Sequence, residues 1–504
     1  MTMKTCSRLR APLLALLAAF TLGLTTAFAV EDTATNRPPV QTFYLPIPEE
    51  DLLQTLTSIH GGASWTLPAE PVASYNSIVV FVDGTVIYYD QWEDGYEQDI
   101  ANPNHLYSAA NPTGTQIWGD GDPSNGYPPD HPHDKLYAGD VIILSSEVKV
   151  NGRNPAKLVY FDGSDKIGVS RPVAIARAVW ASQSQTLFAG ANEVYDTSFF
   201  GTEFVVPVGE DTADQNEIFQ YTGASIMAGA GGATVSVDLD ANGTYDRTAT
   251  LAEGQTLLVD GGLRQGAKIR ATRGSVQVNL LTGDIYDGYE SRFITLLPTS
   301  LWSSAYTSPV ATPVTPQSGT TTYNSGTKIW LYNPGSSAIT VYYETANASA
   351  KSVSVPARSS KFIIAGKKAT TTATGTYTGS TTSGVYVYTR DDSPFYAIAT
   401  IDSTGTGTST YRSQGGDNRT WDWGFALIPD SSMSSQIVVG LGLGRDPTSS
   451  TSPNENGAPI WTVADRDTVL YVDYDGCILP RKLKRITKKL RIGRNNSGVV
   501  QVYC

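Results

Sequence analysis

The sequence predicts an all-β fold of tandem antiparallel, sandwich-like modules, and three observations carry that prediction. Runs of alternating apolar and polar residues, rich in Val, Ile, Tyr and Thr, are bounded by Gly, Asn, Asp and Pro along most of the 504 residues. This is the signature of half-buried strands joined by hairpin turns. Helical periodicity is nearly confined to the N-terminal leader and to Glu49–Ile59. Phrases also recur in a fixed order, which marks repeated supersecondary units.

From the N-terminus, Lys4, Arg8 and Arg10 precede an apolar stretch from Ala11 to Ala29 that closes in Ala27-Phe28-Ala29. A basic start, a short apolar core and a small-residue end make a signal peptide, with cleavage expected after Ala29. The rest is expected to be secreted or held at the cell surface, and no later run is apolar enough to enter a membrane. Residues 30–73 read as an N-terminal segment.

Hairpins open each following unit: Ser77 to Tyr89, Ala233 to Thr250 and Lys328 to Tyr343. Strands follow at Val141–Leu144 and Thr256–Val259, then paired strands at Ile167–Ile175, Ile269–Val278 and Val385–Ile401. The most conspicuous repeat is an aromatic residue leading through an apolar run into Pro, at Phe200–Pro207, Arg292–Pro298 and Trp423–Pro429. These phrases set modules at 74–208, 209–299 and 300–430, and the start of a fourth at 431–476. Pro, Thr and Ser enrichment at 308–326 and 449–457 marks linkers.

Beyond Gly476 the character changes. Arg481, Lys482, Lys484, Arg485, Lys488, Lys489, Arg491 and Arg494 follow with no acid among them, in a chain of net charge −12. Three readings compete for 477–504: a basic interaction arm, a charged edge strand, or translation in a shifted frame. The shifted frame is favoured, because the fourth hairpin stops where the composition turns. The acidic remainder repels nucleic acid, whose binding needs Lys and Arg on phosphate, and makes cations the natural partners.

Within this frame, Ser164-Asp165-Lys166-Ile167-Gly168-Val169-Ser170-Arg171-Pro172-Val173-Ala174-Ile175, followed by Phe199-Phe200-Gly201-Thr202-Glu203-Phe204-Val205-Val206-Pro207, resembles the IgGFc-binding protein N-terminal domain family. The resemblance spans residues 74 to 430 as one pattern repeated with decay. It implies a non-enzymatic, β-rich extracellular binding or structural module, and does not extend to an immunoglobulin ligand.

Three clusters could carry chemistry. Trp92, Asp94, Tyr96 and Glu97, with Trp118 further on, combine rings that can stack on sugar faces with acids that accept hydroxyl hydrogen bonds; equally, the rings could pack a loop on its own sheet. Asp238, Asp240, Asn242, Thr244 and Asp246 have the alternating oxygens of a calcium loop, but the closing carboxylate is missing, since Ala249 stands there. The competing reading is an acidic hairpin turn. His131 and His133 share one side of an extended segment and suit a transition metal, with His105 a possible third ligand.

No Gly-x-Ser-x-Gly elbow, His-Glu-x-x-His or phosphate loop is present, so no enzyme is expected. The expectation is an exported structural or adhesion protein with an extracellular protein or glycan partner. A calcium-dependent glycan binder is the alternative, and a secreted carboxylate-dependent glycan hydrolase comes third.

Overall fold

The computed structural model describes residues 38–60, 72–148, 159–181, 188–213, 215, 218–285, 291–309, 326–345, 348–366, 376–379, 384–402, 424–435, 437, 458–464, 467–473, 487–492 and 497–502. The leader, its expected cleavage site and most of both linkers lie outside the described residues.

The fold is all-β, with one α-helix among the described residues. The first sandwich is made of β1 (Gln41–Tyr44), β2 (Val72–Val80), β3 (Ile87–Asp90), β4 (Gln116–Trp118), β5 (Val141–Val148), β6 (Lys166–Val169), β7 (Val173–Ala181) and β8 (Phe188–Val194). Its sheets run β4-β3-β6-β1 and β5-β2-β7-β8.

The second comprises β9 (Glu203–Val205), β10 (Tyr221–Ala228), β11 (Ala233–Asp238), β12 (Arg247–Leu251), β13 (Thr256–Val259), β14 (Lys268–Arg273), β15 (Val276–Gly283) and β16 (Ser291–Leu296). The third comprises β17 (Ala305–Ser308), β18 (Gly326–Asn333), β19 (Ile339–Thr345), β20 (Ala348–Val355), β21 (Ser359–Ala365), β22 (Val385–Tyr388), β23 (Tyr396–Asp402) and β24 (Gly424–Ala426). Adding eight to each strand number converts the sheets of one sandwich into those of the next: β12-β11-β14-β9 with β13-β10-β15-β16, then β20-β19-β22-β17 with β21-β18-β23-β24.

Two two-stranded sheets follow, β25 (Ala458–Val463) with β28 (Ser497–Val502) and β26 (Thr468–Asp473) with β27 (Thr487–Ile492). The strands expected to form a fourth opening hairpin, β25 and β26, therefore pair not with each other but with β28 and β27 of the tail. In the same way, the expected hairpins Ser77–Tyr89 and Lys328–Tyr343 and the expected paired strands at Ile167–Ile175, Ile269–Val278 and Val385–Ile401 each divide their two strands between different sheets.

Alternation explains the strands locally: in β11, Ala233, Val235 and Val237 are buried while Thr234 and Ser236 are half-exposed. The order of elements also revises how the repeated phrase is aligned. Glu203–Val205 of its first copy opens a sandwich, whereas Arg292–Leu296 and Gly424–Ala426 close theirs. What recurs in equivalent places is a 3-10 turn after each closing strand, at Thr197–Phe199, Thr299–Leu301 and Asp430–Ser432. The first sandwich also begins at Gln41, ahead of residue 74.

The helix expected near Glu49 is present as α1 (Glu49–His60). Leu52, Leu56 and Ile59 recur at helical spacing on one face and join a core with Val72 and Val179 of the first sandwich and Tyr221, Leu281 and Phe293 of the second. The helix thus fills the junction between the two. Its first turn carries Glu49, Glu50 and Asp51, where carboxylates suit the amide-rich N-terminus. Glu49 takes a 2.8 Å ion pair from the fully buried Arg177, which also bonds Asn76 Oδ1 at 3.0 Å and the Ile47 carbonyl at 3.2 Å.

Edge-to-edge packing continues along the chain. Gly190 of β8 is needed because an added Cβ would meet the Phe293 ring of β16 at 2.6 Å. At the next junction the buried Arg292 donates to the Ile401 carbonyl from Nη2 at 3.0 Å and Nε at 3.3 Å. Arg177→Ala is expected to cost about 3–5 kcal/mol, because it removes the cation paired with Glu49 and leaves that carboxylate only the neutral Ser74 hydroxyl and Gly163 amide. A urea titration reads this as a lowered midpoint, and the paired replacement Arg177→Met with Glu49→Leu should recover most of the loss.

Candidate functional site

The cluster richest in acids and rings is built where β3 ends. Asp90 lies opposite Lys166 of β6 in the ladder. Its carboxylate accepts from Thr115 Oγ1 and from the Glu97 backbone N–H, both at 2.9 Å. Burial nevertheless pushes it up to about 7.

Past Gln91 the chain enters a 3-10 turn, Trp92–Asp94. The Trp92 indole N–H donates to both carboxylate oxygens of Asp162, at 3.1 and 3.2 Å, and its backbone N–H reaches Asp165 Oδ1 at 3.4 Å. The Tyr89 hydroxyl donates to Asp165 Oδ2 at 2.6 Å. Burial, then the charges of Asp162 and Glu93, hold the Asp165 carboxyl well above the usual range.

Asp162 and Asp165 belong to a turn in which Phe161 and Ser164 adopt left-handed φ of 62° and 78°, a strained state for such residues. The sequence reading did not single out these two acids. The available signal was the Asp-Gly-Ser-Asp turn immediately before β6.

The expected ligand residues divide. Trp118 requires a correction: it is 0 % exposed and stacks on Tyr89 with centroids 4.9 Å apart, so no ring face is left for a sugar. Glu97 is buried and spends its oxygens on the backbone N–H (2.7 Å) and Nδ1 (2.9 Å) of His105 and on Asn104 Nδ2 (3.1 Å). Burial raises its carboxyl, but the Asn104 and His105 hydrogen bonds outweigh this and leave it lowered. Trp92 is half-buried over its two aspartates, and Asp94 alone of the group is exposed.

Tyr96 donates to the Ser164 carbonyl at 2.9 Å and packs edge-on to Tyr44 at 5.9 Å. Between these two rings sits the Lys166 ammonium, 5.8 Å from each centroid. It donates at 2.9 Å to the Glu97 carbonyl and, across the junction, at 2.9 Å to Glu253 Oε1 of the second sandwich. The Tyr44 hydroxyl donates to the same Glu253 oxygen at 2.7 Å. Burial raises the Glu253 carboxyl, and the Tyr44 and Lys166 bonds reverse this and lower it. Gly254 beside it must be glycine, because an added Cβ would run into the Tyr96 hydroxyl.

The Asp238–Asp246 segment is the β11–β12 hairpin turn, and it brings oxygens of Asp238, Asp240 and Asp246 within 4.8 Å of one another. This is the only such group of three among the described residues. Much of its oxygen capacity serves the turn: Asp238 accepts from the Asn242 and Gly243 amides at 3.1 and 2.9 Å, Asp246 from Leu239 at 2.8 Å, and Asn242 Oδ1 from Thr244 at 2.7 Å. Gly243, at φ 92°, supplies the reversal. Its donor set, all hard oxygens, suits calcium.

His131 and His133 line one open groove with Tyr127, Pro132, Asp134 and Lys135. Asp134 shapes it by accepting the Gly121 amide at 2.8 Å and the Gly119 amide. Burial pushes Asp134 up to about 6, opposed by Gly119 and reinforced by Asp120. His105 is held by Glu97 instead.

A scan against protein-family models and searches of curated proteins and of solved structures found no match for this chain.

Asp90 sets a pH dependence. Its folded pKa is raised above the unfolded one, so the unfolded state ionises more easily. The stability this group contributes is therefore full below the ordinary aspartate range and is lost as pH rises through about 7. Asp90→Asn should flatten that fall, measured as a smaller difference between the melting temperatures at pH 5 and pH 8.

Proposed function

We propose that this chain is an exported, non-enzymatic modular protein of the cell surface or extracellular space, with a structural or adhesive role. The observation that supports this most is the threefold recurrence of one eight-strand order, with junctions closed by buried side chains. Tandem modules that contact only their neighbours are suited to presenting binding surface along a chain. The resemblance of Ser164–Pro207 to the IgGFc-binding protein N-terminal domain family points to the same class. The acids around Trp92 are consistent with it, since Asp90, Glu97, Asp162 and Asp165 all accept hydrogen bonds from protein donors.

The test is adhesion of cells displaying the full chain, compared with chains lacking the second or third sandwich and with Asp165→Asn. Adhesion that falls with each deletion and is indifferent to Asp165→Asn carries the proposal. Hydrolysis of a polysaccharide that Asp165→Asn abolishes overturns it in favour of a hydrolase.

A calcium-dependent binder is the second reading, favoured by the convergence of Asp238, Asp240 and Asp246. Calcium at about 100 times its dissociation constant would stabilise the second sandwich by about 2.7 kcal/mol. A rise in melting temperature on adding calcium, lost in Asp240→Ala, is the expected result; an unchanged melting temperature removes this reading.

A further inference from the structure

Beyond the third sandwich, the described strands β25 to β28 pair in a nested way: β25 with β28 and, inside that, β26 with β27, all antiparallel. Each complete sandwich contains this nesting once, in its second to fifth strands. β2 pairs with β5 and β3 with β4, β10 with β13 and β11 with β12, β18 with β21 and β19 with β20. The four strands therefore occupy positions two to five of a fourth sandwich, with the tail supplying positions four and five. β27, which carries Lys488, Lys489 and Arg491, takes the place of β4, β12 and β20, each the edge of its sheet. This agrees with the charged-edge reading of the tail.

The complete sandwiches also show what the remaining edges of β25 and β26 accept. Position two takes position seven on its second side, and position three takes position six, always antiparallel: β7 and β6, then β15 and β14, then β23 and β22. Among the described residues, β25 and β26 each pair with a single strand. A two-stranded sheet is marginal in water, and the amides and carbonyls along a strand edge are a template for another strand. Val463, at the end of β25, lies against the third sandwich, where a Cβ added to Gly384 would meet its Cγ2 at 2.6 Å. The half-sandwich is thus seated on the third.

We propose that this fourth unit is a dimerisation module, completed by the fourth unit of a second copy of the chain. A two-fold axis perpendicular to both sheets, passing beside β25 and β26, sets each of these strands antiparallel to its own copy. The sheets become β28-β25-β25-β28 and β27-β26-β26-β27, which is the eight-strand, two-sheet arrangement of every complete sandwich. One operation fills both edges, because the half-sandwich offers in its own two strands what those edges lack; this is an isologous contact. The strands placed inside carry one charged residue, Asp473, whereas β27 outside carries three cations and no acid. Lys and Arg on an edge strand oppose further addition, and β27 and β28 stand where the complete sandwiches also end their sheets. Pro459 has no N–H to donate, which leaves the rest of β25 and all of β26 to make the bonds. The proposal goes beyond the adhesive role and does not depend on it.

Light scattering on the full chain across a range of concentrations measures its mass, and a dimer that forms with rising concentration and grows no further is expected. Backbone hydrogen exchange on the same samples locates the contact: amides of β25 and β26 should exchange about tenfold more slowly in the dimer, while those of β10 and β18 stay unchanged. N–H groups alternate sides along a strand, so one of Val469→Pro and Leu470→Pro removes a bond across the dimer and the other a bond to β27. One of the two should weaken the dimer about tenfold and leave the β27 amides as protected as before.

A chain that stays monomeric at every concentration overturns the proposal and leaves these edges to an occupant other than a second copy. Open-ended assembly without a dimer overturns it too, as does a dimer indifferent to both prolines. A dimer in which β25 and β26 exchange as fast as in the monomer places the contact elsewhere and overturns it without recourse to either variant.

Discussion

An ammonium group kept from bulk water has to be neutralised where it stands, and Lys166 is neutralised across a module boundary. Its own sandwich supplies the Glu97 carbonyl and the flanking faces of Tyr44 and Tyr96, but the carboxylate comes from Glu253 of the next. A buried charge without its partner is far more costly than the pair is stabilising. The first sandwich is therefore incomplete, electrostatically, until the second is seated. Much of the first junction follows from this: the Glu97 carbonyl accepts from Lys166, Asp90 lies opposite Lys166 in the ladder, and Tyr44 shares the Glu253 oxygen. Helix α1 reinforces it, since Leu52, Leu56 and Ile59 find apolar partners in both sandwiches.

The second junction reaches the same end by different chemistry. There Arg292 donates to a main-chain carbonyl, Ile401, and the Tyr396 hydroxyl accepts the Leu297 amide at 2.8 Å. Strand order repeats without change while junction chemistry does not. Order depends on hairpins and on which face of each strand is apolar, features that many sequences satisfy. A junction depends on individual side chains meeting at a few ångströms, and each pair of modules can solve that separately. Decay of sequence similarity between the repeats is thus compatible with a fixed topology.

This contrast also separates what was legible in the sequence from what was not. The all-β class, the strands and the helix near Glu49 follow from periodicity and turn residues, and all are present; of the expected opening hairpins only Ala233–Thr250 is one (β11–β12), because Ser77–Tyr89 and Lys328–Tyr343 send their two strands to different sheets, which alternation alone cannot reveal. The repeated apolar run into Pro was legible as a repeat but not as a position, because an opening strand and a closing strand of a sandwich share the same alternation. Trp118 was read as a candidate ring for a ligand, since a Trp running into Gly119-Asp120-Gly121-Asp122 looks like a loop residue. Its burial depends on Tyr89 and Phe161, which are distant in sequence. Asp162 and Asp165 were missed for the related reason that their partners, Trp92 and Tyr89, lie some seventy residues upstream.

The distribution of acids bears on function in a way their number does not. A carboxylate that acts on a ligand has to present a lone pair to it. At the Trp92 turn the carboxylates of Asp90, Glu97, Asp162 and Asp165 accept Thr115, Asn104, His105, Trp92 and Tyr89 donors, and burial raises Asp90 and Asp165 further towards their neutral forms. Raised carboxyls are also what general acids require, so the shift alone does not discriminate. Geometry does more. Each of these groups holds a turn or a strand end in place, and the same bonds that satisfy it make it part of the frame that seats Lys166.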